Sequence, residues 1–151
     1  MKFDADNLRQ MLEQAIPHAR EIGLKVTAID ANGITAQVDQ QSRFVGDPDT
    51  GIIHGGIITV LLDTVCGVSV YTALDRFAPM ATLDLRIDYL RPATPKQVIY
   101  AHGHCYRTTR NVAFCRGLAY QDSIDRPIAH CSGCFMLSTS GEPMLSPTDA
   151  S

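Results

Sequence analysis

Apolar residues recur at a helical period near the N-terminus, form one long run in the middle of the chain and alternate at a strand period after it. From residue 6 to residue 16 the spacing is three or four positions. The apolar residues there are Leu8, Met11, Leu12, Ala15 and Ile16. This pattern predicts a short amphipathic helix over residues 6–16 that ends near Pro17.

Two short runs of β-forming residues follow this helix. Leu24 to Ile29 and Ile34 to Val38 lie on either side of Asn32-Gly33. Asn and Gly both tolerate positive φ, so this dipeptide favours a type I′ turn and predicts a β-hairpin. The stretch from Gln40 to Ile53 is polar, with Gly, Pro and Asp at its centre, which predicts a loop.

The longest apolar stretch of the chain is typical of a buried helix. Between Ile57 and Leu74 the only charged residue is Asp63, and the predicted helix from about Gly55 to Leu74 has no polar face. We therefore expect a helix that is covered on nearly all sides. A membrane span is the alternative, but a lone carboxylate is costly in lipid. We interpret the stretch as a helix buried within protein.

The second half of the chain has the period of β-strands. From Met80 to Leu90 apolar and polar residues alternate, which predicts a strand with one buried face and one polar face, and Thr82 belongs to the polar one. Three more strand-like runs follow, namely Val98 to Arg107, Val112 to Tyr120 and Ile128 to Ser138. The tail over residues 141–151 is rich in Pro and Ser and is expected to be flexible.

The order of these elements indicates an α+β fold. One long apolar helix, preceded by two strands and followed by four, suggests an antiparallel sheet that wraps around the helix. No repeat or linker divides the chain, so we expect a single domain over residues 1–151.

Charge and cysteine content narrow the partners and the compartment. The 151-residue chain has a formal net charge of −3 and a pI near 5.9. Nucleic acids and anionic membranes require a basic face, so we expect neither as a partner. The N-terminal residues 1–13 lack the apolar segment of a secretory signal, and the five cysteines are an odd number. We expect reduced thiols and a cytoplasmic protein.

Neither a metal nor a cofactor is predicted. Cys131 and Cys134 have the CxxC spacing, but residues three apart in a strand point to opposite faces. His102 and His104 share one face of their strand, yet the sequence indicates no third ligand for a metal.

The start of the central helix has the residues of a site that could bind a carbonyl oxygen. His54-Gly55-Gly56 lies where the predicted loop becomes a helix. Backbone amides at a helix N-terminus are unpaired and carry partial positive charge, and glycines let a ligand approach them. Such amides can polarise a carbonyl group or hold an oxyanion.

Asp63 is the second candidate residue for chemistry. A carboxylate among Val60, Leu61, Leu62 and Val65 is costly unless it is paired or used. Gly55 and Asp63 are eight residues apart, which is about 12 Å along one helix at about 1.5 Å per residue. One helix therefore cannot present both to the same carbonyl carbon. Two antiparallel helices from two subunits could, which predicts a homodimer with two equivalent sites, or a homotetramer built from such dimers.

Two motifs together resemble a known family. The stretch from Gly51 to Gly67, with His-Gly-Gly and an acid nine residues after the His, is similar to hotdog-fold acyl-CoA thioesterases of the phenylacetate-degradation (PaaI-like) type. The run from Ala81 to Ala93 resembles the strand that follows the helix in that family. The resemblance covers roughly residues 46–135 and implies a hotdog fold.

The resemblance also implies roles for individual residues. The Gly55 N–H would polarise the thioester carbonyl, and Asp63 would be nucleophile or general base. Thr82 stands where relatives have a Ser or Thr that helps to hold the attacking water. His54 would orient the loop or approach the thioester, and Gly56 would contact substrate.

Coenzyme A also requires partners for its phosphates. The candidates are Arg86, Arg91, Arg107 and Arg110, of which Arg110 lies in the turn where relatives have a basic residue. One position departs from the family pattern, because many relatives have Asn or Gln six residues before the His, where this chain has Pro48. Proline has no side-chain donor. Asp47, Asp49 or Thr50 could substitute, but the two aspartates can only accept hydrogen bonds when they are ionised.

The predicted function is hydrolysis of an acyl-CoA to a free acid and CoA. Two alternatives stay open, a non-catalytic acyl-CoA-binding hotdog protein and a hotdog hydratase or dehydratase. The latter normally needs an Asp–His pair, which the sequence does not indicate. The acyl group is not readable from the sequence, because aryl and aliphatic pockets use the same apolar side chains.

Overall fold

The chain forms a six-stranded antiparallel sheet with one long helix packed against it. The computed structural model describes residues 5–74 and 76–138, so the predicted tail over residues 141–151 lies outside the described residues. The strands of the sheet are β1 (Lys25–Asp30), β2 (Gly33–Val38), β5 (Met80–Tyr89), β6 (Ile99–Thr108), β7 (Val112–Tyr120) and β8 (Ala129–Leu137). Their order is β1-β2-β6-β7-β8-β5, which leaves β1 and β5 at the edges. The predicted α+β architecture is confirmed.

The N-terminal segment is helical for longer than predicted. Helix α1 (Ala5–Gln10) continues into a π-helical turn over Met11–Ala15, and Ile16 is then extended. A residue before proline is disfavoured in helical geometry, which explains why the first helix ends there. Pro17 is nevertheless the first residue of a second helix, α2 (Pro17–Ile22), because proline fits the first turn of a helix. The apolar pattern of the sequence did not predict α2.

The predicted hairpin is present, but its turn is of a different kind. Asp30 pairs with Gly33, so Ala31 and Asn32 form the turn. Neither has a positive φ, whereas Gly33 does, so the predicted type I′ turn over Asn32-Gly33 is wrong. The Asp30 side chain accepts a hydrogen bond from the Asn32 amide at 2.7 Å, which stabilises this alternative turn.

A small hairpin occupies the segment that was predicted to be a loop. Strands β3 (Val45–Asp47) and β4 (Ile52–Ile53) pair with each other and lead into the central helix. The Phe44 carbonyl accepts a hydrogen bond from the His54 amide at 2.7 Å. This bond holds the residue before the helix in place.

The central helix α3 (Gly55–Leu74) has the predicted bounds and packs on one face of the sheet. By length and composition it could cross a membrane, yet here it lies against β2, β6 and β7. Leu61, Leu62 and Val65 are almost wholly buried. A Cβ at Gly103 of β6 would lie 2.4 Å from the Val65 carbonyl, so only glycine allows the helix to approach the sheet this closely.

One strip of α3 is not covered by the sheet. Thr59, Asp63, Gly67 and Tyr71 follow one another at intervals of four residues and are only half-buried. The prediction that the helix is covered on nearly all sides is therefore wrong for this strip of the single chain. The strip faces the N-terminal segment and β5.

Strand β5 does not keep the alternation that its sequence predicts. Thr82 pairs with Phe135 and Asp84 with Cys134, so Leu83 is an extra residue in a β-bulge. The bulge turns Thr82 to the same face as Leu85, towards α3, and leaves Leu83 exposed. The prediction that Thr82 lies on the polar face opposite the buried residues is wrong for this reason.

Candidate active site

His54 caps the N-terminus of α3. Its Nδ1 accepts a hydrogen bond from the Gly56 amide at 2.9 Å, and its carbonyl accepts one from Ile57 at 3.1 Å. This is the arrangement of an N-cap residue, in which a side-chain acceptor pairs with an amide of the first helical turn. The Gly56 amide, which was expected to contact substrate, is thus already occupied.

The capping leaves the Gly55 amide available. Within residues 5–74 and 76–138 no hydrogen bond is formed by the Gly55 N–H, while the next two amides are paired with His54. The partial positive charge of a 20-residue helix is concentrated at this end. The one free donor is therefore the amide of the residue predicted to polarise a carbonyl group.

Tyr89 holds the Gly55 peptide from the other side, a contact that the sequence analysis missed. Its hydroxyl donates to the Gly55 carbonyl at 3.0 Å and lies 2.7 Å from the Thr59 hydroxyl. A Cβ at Gly55 would lie only 3.2 Å from the Tyr89 ring. The sequence did contain a signal for this contact, because the alternation along β5 places Tyr89 on the same face as Leu85 and Ile87.

Asp63 and Thr82 form the second half of the candidate site. The Thr82 hydroxyl donates to Asp63 Oδ1 at 3.1 Å, a contact that depends on the bulge at Leu83. No further hydrogen bond reaches Asp63 from the described part of the chain, so Oδ2 is available to a ligand or water. The structure thus brings together two of the predicted residues, which lie 19 positions apart in the sequence.

The pair lies in the middle of a groove along α3, which we call the α3 groove. It consists of two adjoining cavities of about 320 and 200 Å³, one towards each end of the helix. Both are lined by Ile16, Asp63, Thr64 and Thr82. A substrate bound in this groove would pass directly over the Asp63 carboxylate.

The arginines proposed for phosphate binding are not brought together in one chain. Arg86 points away from the α3 groove and forms an ion pair with Asp88 at 3.0 Å. Arg91 follows the end of β5, next to Ile128, whereas Arg110 lies in the β6–β7 turn. The turn that contains Arg110 contacts the end of β8, and this end of β8 pairs with the start of β5. Because Arg91 follows the other end of β5, Arg91 and Arg110 are at opposite ends of the sheet.

The turn that contains Pro48 is closed by its own side chains. Asp47 accepts a hydrogen bond from the Thr50 hydroxyl at 2.6 Å and another from the Asp49 amide at 3.1 Å. The Thr50 bond is the main reason that the pKa of Asp47 is below its usual range. Asp47 and Thr50 are thus engaged with each other, and neither replaces the amide side chain that many relatives have here.

The capping role of His54 gives a testable expectation. His54→Asn keeps a side-chain acceptor of the kind that N-caps prefer and should retain most of the stability and turnover. His54→Ala removes the acceptor and should cost about 1 kcal/mol in the free energy of unfolding. Urea unfolding and steady-state kinetics measure the two effects. If the Asn variant folds but is as inactive as an Asp63 variant, the imidazole participates in the chemistry instead.

The family comparison agrees with this geometry. A model of the thioesterase superfamily matches residues 50–128, just over half of the 151-residue chain. The matched region includes the start of α3, Asp63 and Thr82. The N-terminal helices α1 and α2 precede it.

The chain is similar in sequence to several known proteins, and to one of them over most of its length. A Pseudomonas aeruginosa protein of known structure is 45% identical, with a TM-score of 0.78, over 87% of this chain and 96% of that one. A phenylacetic acid degradation-related protein from Ralstonia eutropha JMP134 is 26% identical, with a TM-score of 0.71, over 85% and 98%. The medium/long-chain acyl-CoA thioesterase YigI of Salmonella typhimurium is 31% identical over 96 residues, 55% of this chain and 62% of that protein. The chain thus spans less than two thirds of the length of this curated relative.

Proposed function

This chain belongs to the thioesterase superfamily and has its hotdog fold, and from this premise we propose that it hydrolyses acyl-CoA thioesters to a free acid and CoA. The observation that carries the proposal is the Asp63–Thr82 pair in the α3 groove, where Asp63 is half-buried and one of its carboxylate oxygens is available. The reaction needs water as its only co-reactant. A cytoplasmic location is part of the proposal, because all five cysteines are free thiols.

In the proposed reaction the Gly55 amide donates a hydrogen bond to the thioester carbonyl oxygen. This donor stabilises the negative charge that develops on the oxygen as the carbonyl carbon becomes tetrahedral. The C–S bond then breaks, and the sulfur leaves as the CoA thiolate. The helix N-terminus thus acts where the charge of the transition state is largest.

Asp63 acts in one of two ways. As a general base it takes a proton from water, whose oxygen bonds to the carbonyl carbon. As a nucleophile its Oδ2 bonds to the carbonyl carbon and expels the thiolate, and water then cleaves the resulting anhydride to restore the carboxylate. In both routes the Thr82 hydroxyl lies beside the carboxylate and can hold the attacking water.

A homodimer is part of the proposal. Gly55 and Asp63 are on the same helix, about 12 Å apart along its axis at about 1.5 Å per residue, so one chain cannot bring both to one carbonyl group. Two features support the binding of a second copy of this chain beside the helix. The strip of α3 around Asp63 is half-open, and β5 is a ten-residue edge strand with exposed Leu83. A two-fold axis there would give two equivalent sites.

Thr82 can be tested with an isosteric change. Thr82→Val keeps the shape but deletes the hydroxyl, so kcat should fall about tenfold to a hundredfold while KM changes little. Thr82→Ser restores a hydroxyl and should recover most of kcat. A burst of CoA in the Val variant would indicate the anhydride route, because only the hydrolytic step is then slow. A folded Val variant with unchanged kcat would leave Thr82 without a role in the reaction.

The experiment that tests the function is a panel of acyl-CoAs with a thiol-trapping reagent. Release of CoA at a rate that depends on enzyme concentration supports the proposal. Tight binding without release would instead identify an acyl-CoA-binding protein. Hydration of an enoyl-CoA without thiol release would instead identify a hydratase. Within residues 5–74 and 76–138 no hydrogen bond joins Asp63 to a histidine, since Asp63 pairs with Thr82 and His54 with Gly56.

A further inference from the structure

The half of the α3 groove beyond Asp63 is an apolar channel. It runs along α3 from Asp63 past Gly67 and Val68 to Tyr71, with Met80 on the side of β5. Eight residues separate Asp63 from Tyr71, which is about 12 Å of helix at about 1.5 Å per residue. Three consecutive bonds of an extended chain span about 3.8 Å. A channel of this length therefore accommodates about nine bonds of an extended acyl chain.

The second wall of this channel comes from the N-terminal segment, residues 5–22. Met11 and Ile16 line the channel opposite β5. Both precede residue 50, where the match to the superfamily begins, so this wall is not part of the matched region.

The N-terminal segment is fixed in position. Leu8 and Leu12 are fully buried in the core, and the Glu13 carboxylate accepts a hydrogen bond from the Val26 amide at 2.7 Å. Leu12 and Glu13 belong to the π-helical turn that begins at Met11, and such turns are frequent at functional sites. Met11 is therefore held against the channel by its neighbours on both sides.

The chemistry of the channel favours a hydrocarbon chain. Beyond Asp63 it has no charged side chain, and methionine adapts its shape to a flexible ligand. Tyr71 lines the far end and packs against Phe77, with ring centroids 5.1 Å apart. Burial raises the pKa of Tyr71, so its hydroxyl stays neutral.

We infer that Met11 and Ile16 contact the acyl chain of the substrate and that the N-terminal segment sets the chain length the enzyme accepts. This inference rests on the proposed function and adds a substrate class, an aliphatic acyl group of medium length. The acyl chain lies between Asp63 and Tyr71, and the CoA moiety extends towards the cavity at the other end of α3.

The test measures kcat/KM for butanoyl-, octanoyl- and dodecanoyl-CoA in variants of Met11. Met11→Phe narrows the channel and should lower the ratio of kcat/KM for octanoyl-CoA to kcat/KM for butanoyl-CoA at least about tenfold. One methylene group has an effect of this size in an apolar pocket. Met11→Ala widens the channel and should raise the relative rate with dodecanoyl-CoA. Gln10→Phe is the matched control, because Gln10 is exposed, outside the channel and one residue away.

The outcomes separate this inference from the proposed function. A wild-type protein that releases CoA from no acyl chain would overturn both. If the wild type is active and the folded Met11 variants keep its ratios between chain lengths, the segment does not contact the acyl chain and the inference is wrong. Met11→Leu keeps the volume and should keep the ratios, so a change in that variant, or the same change in Gln10→Phe, would also overturn it.

Discussion

Replacing Asp63 by asparagine is expected to lower kcat for acyl-CoA hydrolysis at least about a hundredfold, and up to about 10⁴-fold. The amide has nearly the shape of the carboxylate and can still accept a hydrogen bond from Thr82, at present 3.1 Å from Oδ1. It can neither take a proton from water nor attack the thioester at a useful rate. Steady-state CoA release measures the loss.

The matched control for this variant is Asp84→Asn. Asp84 is exposed on β5, on the opposite side of the strand from the α3 groove, and its substitution changes the net charge by the same amount. It should leave kcat near the wild-type value. Thermal unfolding checks that both variants fold. Wild-type turnover in a folded Asp63→Asn protein would remove Asp63 from the mechanism.

Removing the amide hydrogen of Gly55 should have an effect of similar size. Gly55→Pro deletes the N–H at the first position of α3, a position where helices tolerate proline well. The loss of one preorganised donor should lower kcat about 10²- to 10³-fold. Gly55→Ala is the matched control, because it adds the same Cβ near the Tyr89 ring but keeps the N–H.

The comparison of these two Gly55 variants isolates the donor. Both must displace the Tyr89 ring slightly, since an added Cβ lies 3.2 Å from it, so that cost is common to them. The additional loss in the Pro variant then measures the amide alone. If Pro and Ala are equally active, the Gly55 N–H does not stabilise the transition state.

The same variants test the two-subunit site. Mixing Gly55→Pro chains with Asp63→Asn chains forms hybrid dimers in which one site combines an intact Gly55 with an intact Asp63. Random exchange in an equimolar mixture should restore about a quarter of the wild-type activity, because half of the dimers are hybrids and each has one intact site. No recovery after verified exchange, or an active monomer in sedimentation, would contradict the shared site.

The elements of this fold could be predicted from local pattern because each follows from short-range physical chemistry. A long apolar run without proline predicted α3 with its correct bounds, and strand-like runs located β5 to β8 within about one residue. The turn at Asn32 was less predictable. There the Asp30 side chain accepts a hydrogen bond from the Asn32 amide and stabilises a turn other than the one that Asn-Gly usually favours.

The sequence alone also determined which residues could carry the chemistry. A carboxylate in an apolar helix and a His-Gly-Gly at its start are local facts, and their separation along one helix follows from helical rise. The tertiary structure decided how these groups are used. The direction of Thr82 depends on a bulge at Leu83, which arises from pairing with β8 and cannot be read from alternation. The free amide at Gly55 depends on where the His54 ring points, because that ring occupies the next donor.

Long-range packing decided the remaining features. Met11 is far from Tyr71 and Met80 in the chain and shares no motif with them, yet all three line one channel because the N-terminal segment folds back over α3. The arginines at positions 86, 91 and 110 were candidates for one ligand, but strand register separates them along the sheet. Local sequence determines what each residue can do within its own turn or strand. Only the folded chain decides which residues meet, because contacts between distant segments depend on register, bulges and the path of the backbone.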